Sequence, residues 1–371
     1  MHVGSIKLSN FRNYSTLEAR FHPRLNVLLG PNAQGKTNIL EAIYCLSTTR
    51  SFRAIVDEEM IQFGQEIAGI EGLLEGEKGQ DQIYLELKRG KGKTLKLNGK
   101  KQKKLSSCIG QIPAVIFSPD DLFLVKGGPS LRRKYLDGTI LQLDPGFLPH
   151  FQQYERALKQ RNSLLRQRIA QLESQVGLWD MPLAEHGAMI LKKRMETVKR
   201  LSDFAGQALR DLTGGLELFE LKYEKTLPEE SENLKNDLLK AFQKARSEEL
   251  ARGVTIVGPH RDDIGFFVNG ELLRKFGSQG QQRTGALALK LAQLSILAEG
   301  RHTQPLILFD DVMAELDENR RAFFLNHVQH GGQAFLTGTS AHEFASAMKA
   351  AQVFTVQDGR VQIIQEGPIG S

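Results

Sequence analysis

Apolar and polar positions alternate where the chain begins. Ile6 and Leu8 sit between polar neighbours, the period-two pattern of a half-buried strand. A short apolar run, Leu25-Asn26-Val27-Leu28-Leu29, stops at Gly30-Pro31 and predicts a further strand ended by a turn. Alternation returns at Ile83, Leu85 and Leu87, meets Arg89-Gly90-Lys91-Gly92, and resumes at Leu95 and Leu97 before Asn98-Gly99. Glycine and asparagine tolerate positive φ, so this stretch predicts a hairpin. The first ~120 residues therefore predict mixed α/β structure with an antiparallel part.

The period then changes. From Phe151 to Leu212 the chain is polar and helix-favouring, with apolar residues at Leu165, Ile169, Leu172 and Val176. Beyond Gly177-Leu178-Trp179-Asp180-Met181-Pro182 a second stripe runs through Leu191, Met195 and Val198. Helical spacing gives each segment one apolar face, predicting two amphipathic helices in a hairpin, too brief for a long coiled coil. Leu227-Pro228-Glu229-Glu230-Ser231-Glu232-Asn233 predicts a loop, followed by one more helix to Leu250. From Thr255 the α/β character returns, and Val353–Gln357 and Arg360–Ile364 predict a last hairpin turning at Asp358-Gly359. There is no internal repeat.

Composition narrows the class. With 40% hydrophobic and 25% charged residues in a chain of 371, a disordered, collagenous or membrane-spanning protein is excluded. No run reaches the ~18–20 apolar residues of a spanning helix. The start, Met1-His2-Val3-Gly4-Ser5, has no apolar export signal, and Cys45 and Cys108 are the only cysteines. These features predict a soluble cytoplasmic protein without disulfides or a Cys-rich zinc site. The net charge of +6 is a weak hint of nucleic acid, but its distribution is uneven. Nine Lys or Arg crowd into residues 88–104, and no acid occurs between Leu87 and Pro119.

Candidate chemistry starts at Gly30-Pro31-Asn32-Ala33-Gln34-Gly35-Lys36-Thr37, which fits the phosphate-loop pattern G-x-x-x-x-G-K-[ST]. Its glycines let successive N–H groups turn toward phosphate oxygens, Lys36 reaches the β/γ-phosphates, and the Thr37 hydroxyl holds Mg²⁺. An apolar strand precedes it, and the stripe Ile39, Leu40, Ile43, Leu46 predicts the helix after it. The complementary half is Leu306-Ile307-Leu308-Phe309-Asp310-Asp311, an apolar strand ending in acids. Asp310 is the expected Mg²⁺ partner and Asp311 the residue that orients or deprotonates the attacking water; acids capping an ordinary turn are the structural alternative. Lys36 and Asp310 are 274 positions apart, so one head domain must carry a large insertion, with the helical middle as candidate. Ser278-Gln279-Gly280-Gln281-Gln282 opens another helix, a second anion cradle suited to the γ-phosphate of a nucleotide held by another subunit. A plain Ser/Gly helix cap is the alternative there.

Together these pieces resemble the SMC branch of the ABC-type ATPases and, within it, the RecF family. Ile6 to Tyr14, the extension Asn38-Ile39-Leu40-Glu41-Ala42-Ile43, Ser278 to Gln282 and Asp310-Asp311-Val312-Met313-Ala314-Glu315-Leu316-Asp317 carry the wider match. Ser118-Pro119-Asp120-Asp121-Leu122, Gly128 to Asp137 and Gly258-Pro259-His260-Arg261-Asp262-Asp263 carry the narrower one. The resemblance implies an ABC/SMC-type head, with residues 1–130 and 251–371 forming the ATPase and 131–250 a helical insertion. It implies Mg²⁺-dependent ATP binding by Arg12 and by Gly30 through Asn38, and an ATP-dependent homodimer with Ser278, Gln279, Gly280 and Gln281 acting across the interface. Asp317 matches the D-loop residue that crosses it. The implied work is DNA binding at gaps and single-strand/double-strand junctions, with RecR and RecO, to promote RecA loading. Three positions depart from the wider pattern: Asp311 stands in place of Glu, favouring slow hydrolysis; Thr339 stands in place of a switch His; Ser118-Pro119 stands near an expected Gln.

The basic hairpin is read either as a DNA-backbone contact, centred on Lys100, Lys101, Lys103 and Lys104, or as a solvated loop. Arg132, Arg133, Lys134, Arg156, Lys159, Arg161 and Arg166 are rival contacts. His260 and Asp262 read as a structural corner, not a zinc site. The soluble ATPase subunit of an ABC transporter is the alternative function.

Overall fold

The computed structural model describes residues 1–77, 79–167, 172–228, 233–301, 303–313, 316–344 and 348–367. Ile169, Glu229 through Glu232, Ala314 and Glu315 lie outside the described residues. The chain forms two compact units, Met1–Asp121 with Gln293–Ser371, and Leu122–Ala292. The second runs past the expected insertion, 131–250, at both ends. Residues 251–292, expected in the ATPase head, cluster with the helices instead.

The first unit opens with β1 (His2–Phe11), β2 (Tyr14–Arg20), β3 (Leu25–Leu29), α1 (Lys36–Thr48) and β4 (Ile67–Gly76). It continues with β5 (Gly79–Lys88), β6 (Gly92–Leu97), β7 (Lys100–Lys101) and β8 (Ala114–Phe117). Six of these strands form an antiparallel sheet in the order β2-β1-β4-β5-β6-β7. The alternation along β5 has its physical meaning here, because Ile83, Leu85 and Leu87 are buried while their neighbours are not. Asn98 and Gly99 at φ 48° and 75° make the two-residue turn into β7.

The second unit holds α2 (Pro129–Leu143), α3 (Leu148–Leu165), α4 (Asp180–Thr213), β9 (Phe219–Glu224), α5 (Leu234–Arg252), β10 (Asp263–Val268) and β11 (Glu271–Leu272). The strands pair antiparallel in the order β11-β10-β9. Pro182 sits in the first turn of α4, where it forfeits no intrahelical bond, so the Gly/Pro segment starts this helix. Charge reinforces the apolar stripes. Arg161, wholly buried, donates to Asp180 at 3.1 Å, Glu249 at 2.6 Å and Thr255 at 2.8 Å. Arg132 makes a bidentate pair with Asp263, and Arg194 with Asp137. Arg132 and Arg161 are therefore internal struts rather than DNA contacts.

Helix α6 (Gln279–Arg301) returns the chain to the first unit, followed by β12 (Leu306–Phe309), α7 (Glu318–His330), β13 (Ala334–Gly338), β14 (Gln352–Gln357) and β15 (Arg360–Gln365). The second six-stranded sheet runs β15-β14-β3-β13-β12-β8, parallel except for β15. Strands β3, β8, β12 and β13 are buried at every position, which is why they read as continuous apolar runs. Helix α1 packs against both sheets through fully buried Ile39, Leu40, Ile43 and Leu46, each contributing about 1.5–3 kcal/mol. The parallel register brings the C-terminal ends of β3, β12 and β13 together, where ligands of open α/β sheets bind.

Candidate functional site

The loop from Gly30 to Thr37 joins β3 to α1 at that edge. Two glycines are dictated by space. A Cβ on Gly30 would lie 2.1 Å from the Val356 carbonyl oxygen, and one on Gly35, at φ 112°, would lie 2.6 Å from the Tyr14 hydroxyl. Side chains tie the loop from outside. Asn13 Nδ2 donates to the Gln34 carbonyl at 3.1 Å, Asn38 Nδ2 donates to Asn13 Oδ1 at 2.8 Å, and the Asp358 amide donates to Gln34 Oε1 at 2.7 Å. Lys36 is buried, its Nζ donating to the Gly30 and Pro31 carbonyls at 2.7 and 3.0 Å. Its charge is thus held against the loop.

The strand-end acids reach the same place. Thr37 Oγ1 donates to Asp310 Oδ1 at 2.6 Å across 273 residues of sequence. Burial raises the Asp310 pKa and the neighbouring Asp311 raises it further, with the Thr37 hydrogen bond opposing both. Asp311 adopts φ 52°, and its amide donates to Thr337 Oγ1 at 2.9 Å. That hydroxyl also lies within 3.2–3.3 Å of both carboxylates. The hard oxygens of Thr37 and Asp310 are the donor type that Mg²⁺ takes. A cavity of about 380 Å³ is lined by Asn32 through Asn38, with Arg53 and Asp311. It has room for a polyphosphate.

Not every expected residue reaches the cavity. Arg12, at φ 53°, donates to both oxygens of fully buried Glu41 at 2.8 and 2.7 Å and to the Glu59 carbonyl at 2.7 Å. The Glu41 hydrogen bond is the main reason its pKa rises. Asp317 caps α7, accepting from the Arg320 amide at 2.9 Å. Ser278 and Gln281 form a reciprocal cap in the second unit: the Ser278 amide donates to Gln281 Oε1 at 2.8 Å, and the Gln281 amide donates to Ser278 Oγ at 3.2 Å. Ser278, Gln279 and Gly280 are exposed, leaving this helix start accessible. Thr339, at the end of β13, is also exposed.

Motif reading gave no role to Arg53, which lines the cavity, or to Thr337, which faces both acids, and quoted Glu41 only as part of the loop's extension. Arg53 follows α1 by five residues with no motif of its own, and its Nη1 donates to Asn38 Oδ1 at 3.1 Å.

On the basic hairpin, Lys100, Lys101, Lys103 and Lys104 are exposed and have no ion-pair partner among the described residues. Lys93 differs. Its Nζ, almost wholly buried, donates to the Thr49 carbonyl and pairs with Asp57, both at 2.6 Å. In the second unit, His260 Nε2 contacts the Thr255 carbonyl at 3.1 Å and its Nδ1 faces the Tyr154 hydroxyl at 2.7 Å. Asp262 accepts from Tyr223 and from the Thr226 amide and hydroxyl. Both belong to a hydrogen-bonded corner, and no group of three or more metal-ligating residues occurs among the described residues.

The family described as the RecF/RecN/SMC N-terminal domain matches residues 2–362. A relative from Bacillus mycoides (strain KBAB4), a DNA replication and repair protein RecF, is 40% identical over 369 residues, covering 97% of this chain and 98% of its own. A solved structure of the recombination mediator protein RecF with ATP in the RecFOR pathway superimposes with TM-score 0.90 at 35% identity, covering 98% of both chains. An Smc head domain from Pyrococcus furiosus, at 16% identity and TM-score 0.56, covers 99% of this chain and 96% of its own and shares the fold.

Proposed function

The chain belongs to the RecF family of SMC-like ABC ATPases, and from that premise we propose that it is an ATP-switched DNA-binding protein of recombinational repair and replication restart. The observation that carries this reading is the convergence of Lys36, Thr37 and Asp311 on one polar cavity, with Asp310 hydrogen-bonded to Thr37. Lys36 leaves the Gly30 and Pro31 carbonyls to meet β/γ-phosphate oxygens, a short exchange of one set of acceptors for another. Backbone N–H groups of the loop and the N-terminus of α1 receive the remaining phosphate charge. Thr37, and Asp310 largely through water, would hold Mg²⁺, which would supply charge neutralisation at the phosphates. Asp311 orients the attacking water; its short side chain favours slow turnover, so hydrolysis resets a switch.

Ser278 to Gln281 lie in a different compact unit from the phosphate loop and expose an N-terminal helix end. In this proposal that end grips the γ-phosphate held by a second copy, so that ATP favours the closed homodimer through contacts made only there. Asp317 lies at the same interface. The closed dimer presents Lys100, Lys101, Lys103 and Lys104 to the backbone of gapped or junction DNA. RecR and RecO are the proposed partners, supported by the RecFOR pathway of the solved RecF relatives, and RecA loading is the proposed outcome. The transporter alternative is left without support by the family membership. Among the described residues no helix is long and apolar enough to cross a membrane.

The test is fluorescence anisotropy of a labelled duplex carrying a single-stranded gap, with and without ATP. Binding should strengthen with ATP, and Lys36→Ala should remove that gain by weakening ATP binding. No DNA binding at low salt in either state would overturn the reading.

A further inference from the structure

Behind the phosphate loop lies a second set of contacts that nucleotide binding by the loop alone does not need. Glu41, on the buried face of α1, is wholly enclosed and receives three hydrogen bonds: two from Arg12, and one from Ser51 Oγ to Oε1 at 2.5 Å. The Ser51 hydroxyl in turn accepts from the Arg53 amide at 2.8 Å and the Ala54 amide at 2.7 Å. Its single proton is committed to Glu41 and its lone pairs to the two amides, so its hydrogen-bonding capacity is used in one orientation. At the far end of this chain the Arg53 side chain lines the cavity beside Lys36, Thr37 and Asp311. Asn38, the residue after Thr37, accepts from Arg53 Nη1 at 3.1 Å.

We propose that Glu41 and Ser51 are positioning residues that hold the Arg53 guanidinium over the terminal phosphates, making the site favour a triphosphate over a diphosphate. The proposal rests on the nucleotide reading above and adds the residues that set its selectivity.

The chemistry favours this over simple loop packing. A wholly buried carboxylate is costly unless its bonds are met, and an apolar side chain would serve packing alone. Here the charge is spent on Arg12 on one side and on a hydroxyl that orders the Arg53 backbone on the other. Arg12 therefore acts from behind the cavity, through the same carboxylate, rather than from its lining. A long arginine side chain loses much rotamer entropy when fixed, and anchoring its backbone reduces what remains to be lost when a phosphate arrives.

The experiment compares binding of fluorescent ATP and ADP analogues, with Mg²⁺, to the full chain and to Ser51→Ala, Ser51→Thr, Glu41→Gln, Arg53→Ala and the Ser51→Ala/Arg53→Ala double variant. Ser51→Ala should weaken the triphosphate about tenfold, the share of a charge-assisted hydrogen bond, and leave the diphosphate nearly unchanged. Ser51→Thr should restore binding. On the Arg53→Ala background Ser51→Ala should cost nothing more, because the guanidinium it positions is gone. If Ser51→Ala weakens both nucleotides alike, or costs the same with Arg53 absent, the residues only support the fold and the proposal fails. Glu41→Gln, which keeps the shape and removes the charge, should follow Ser51→Ala; unchanged triphosphate binding in both variants also overturns it. If the unaltered chain binds neither analogue, or Lys36→Ala binds both normally, the underlying nucleotide reading falls and takes this one with it.

Discussion

Thr337 shows how one hydroxyl can hold two acids apart. It accepts the Asp311 amide while facing both Asp310 and Asp311, at the end of a fully buried strand. Thr337→Val keeps the shape and leaves the Asp311 N–H without its acceptor, so urea unfolding should show a loss of about 1–3 kcal/mol. His260 is a residue of the opposite kind, far from any motif chemistry. Its Nε2–H donates to the Thr255 carbonyl, which makes Nδ1 the acceptor for the Tyr154 hydroxyl and fixes a neutral ring. Burial lowers its pKa from 6.5 to about 4. The unfolded chain therefore takes up a proton on this ring at a higher pH than the folded one does. The stability contributed is complete above the unfolded value of 6.5 and is lost as pH falls toward 4, by roughly 3 kcal/mol in all. Urea midpoints measured across that window should fall for the unaltered chain, and the slope should flatten in His260→Asn. An equal slope in both would assign the acid sensitivity elsewhere.

Among the elements, the β5–β6 hairpin with β7 has two faces of different character. Leu85, Leu87 and Leu95 are buried, and Lys93 is drawn inward to Thr49 and Asp57, while the lysines on and after β7 stay outside. A run of nine basic residues is thus not one surface, and Lys93 is an internal anchor. If the hairpin neutralises about five phosphates, log K for DNA should fall with log salt at a slope near −4.5. Alanine at Lys100, Lys101, Lys103 and Lys104 together should flatten that slope by most of its value; an unchanged slope removes the hairpin from the DNA surface. The helices of the second unit teach a related lesson. Arg161 stands on a polar-looking segment and reads as solvent-facing, yet it is the buried hub for Asp180 and Glu249. Losing one partner of such a network is costly, about 3–5 kcal/mol.

For the molecule as a whole, the division into two compact units separates the phosphate loop from the Ser278 helix start. Under the proposed sandwich, Ser278→Arg should leave ATP binding intact and abolish ATP-dependent dimers in sedimentation velocity; persistence of the dimer would remove the sandwich. The division also shows where motif reading stops. The phosphate loop, the apolar strands flanking it and the strand-end acids were legible because each is written in consecutive residues whose local chemistry has few other uses. So was the Asp358-Gly359 turn, whose φ angles of 49° and 71° suit few other residue pairs. The extent of the second unit was less so, since residues 251–292 read as α/β and yet cluster with the helices. Sequence by itself determined the fold family and the phosphate-loop residues that line the cavity. Only tertiary structure decided that Arg12 pairs with Glu41, that Ser51 links that carboxylate to the Arg53 loop, and that Lys93, Arg132 and Arg161 turn inward. The reason is physical: a charged residue's role depends on which partner the closed fold brings within 3 Å, and these partners lie up to 131 positions away along the chain.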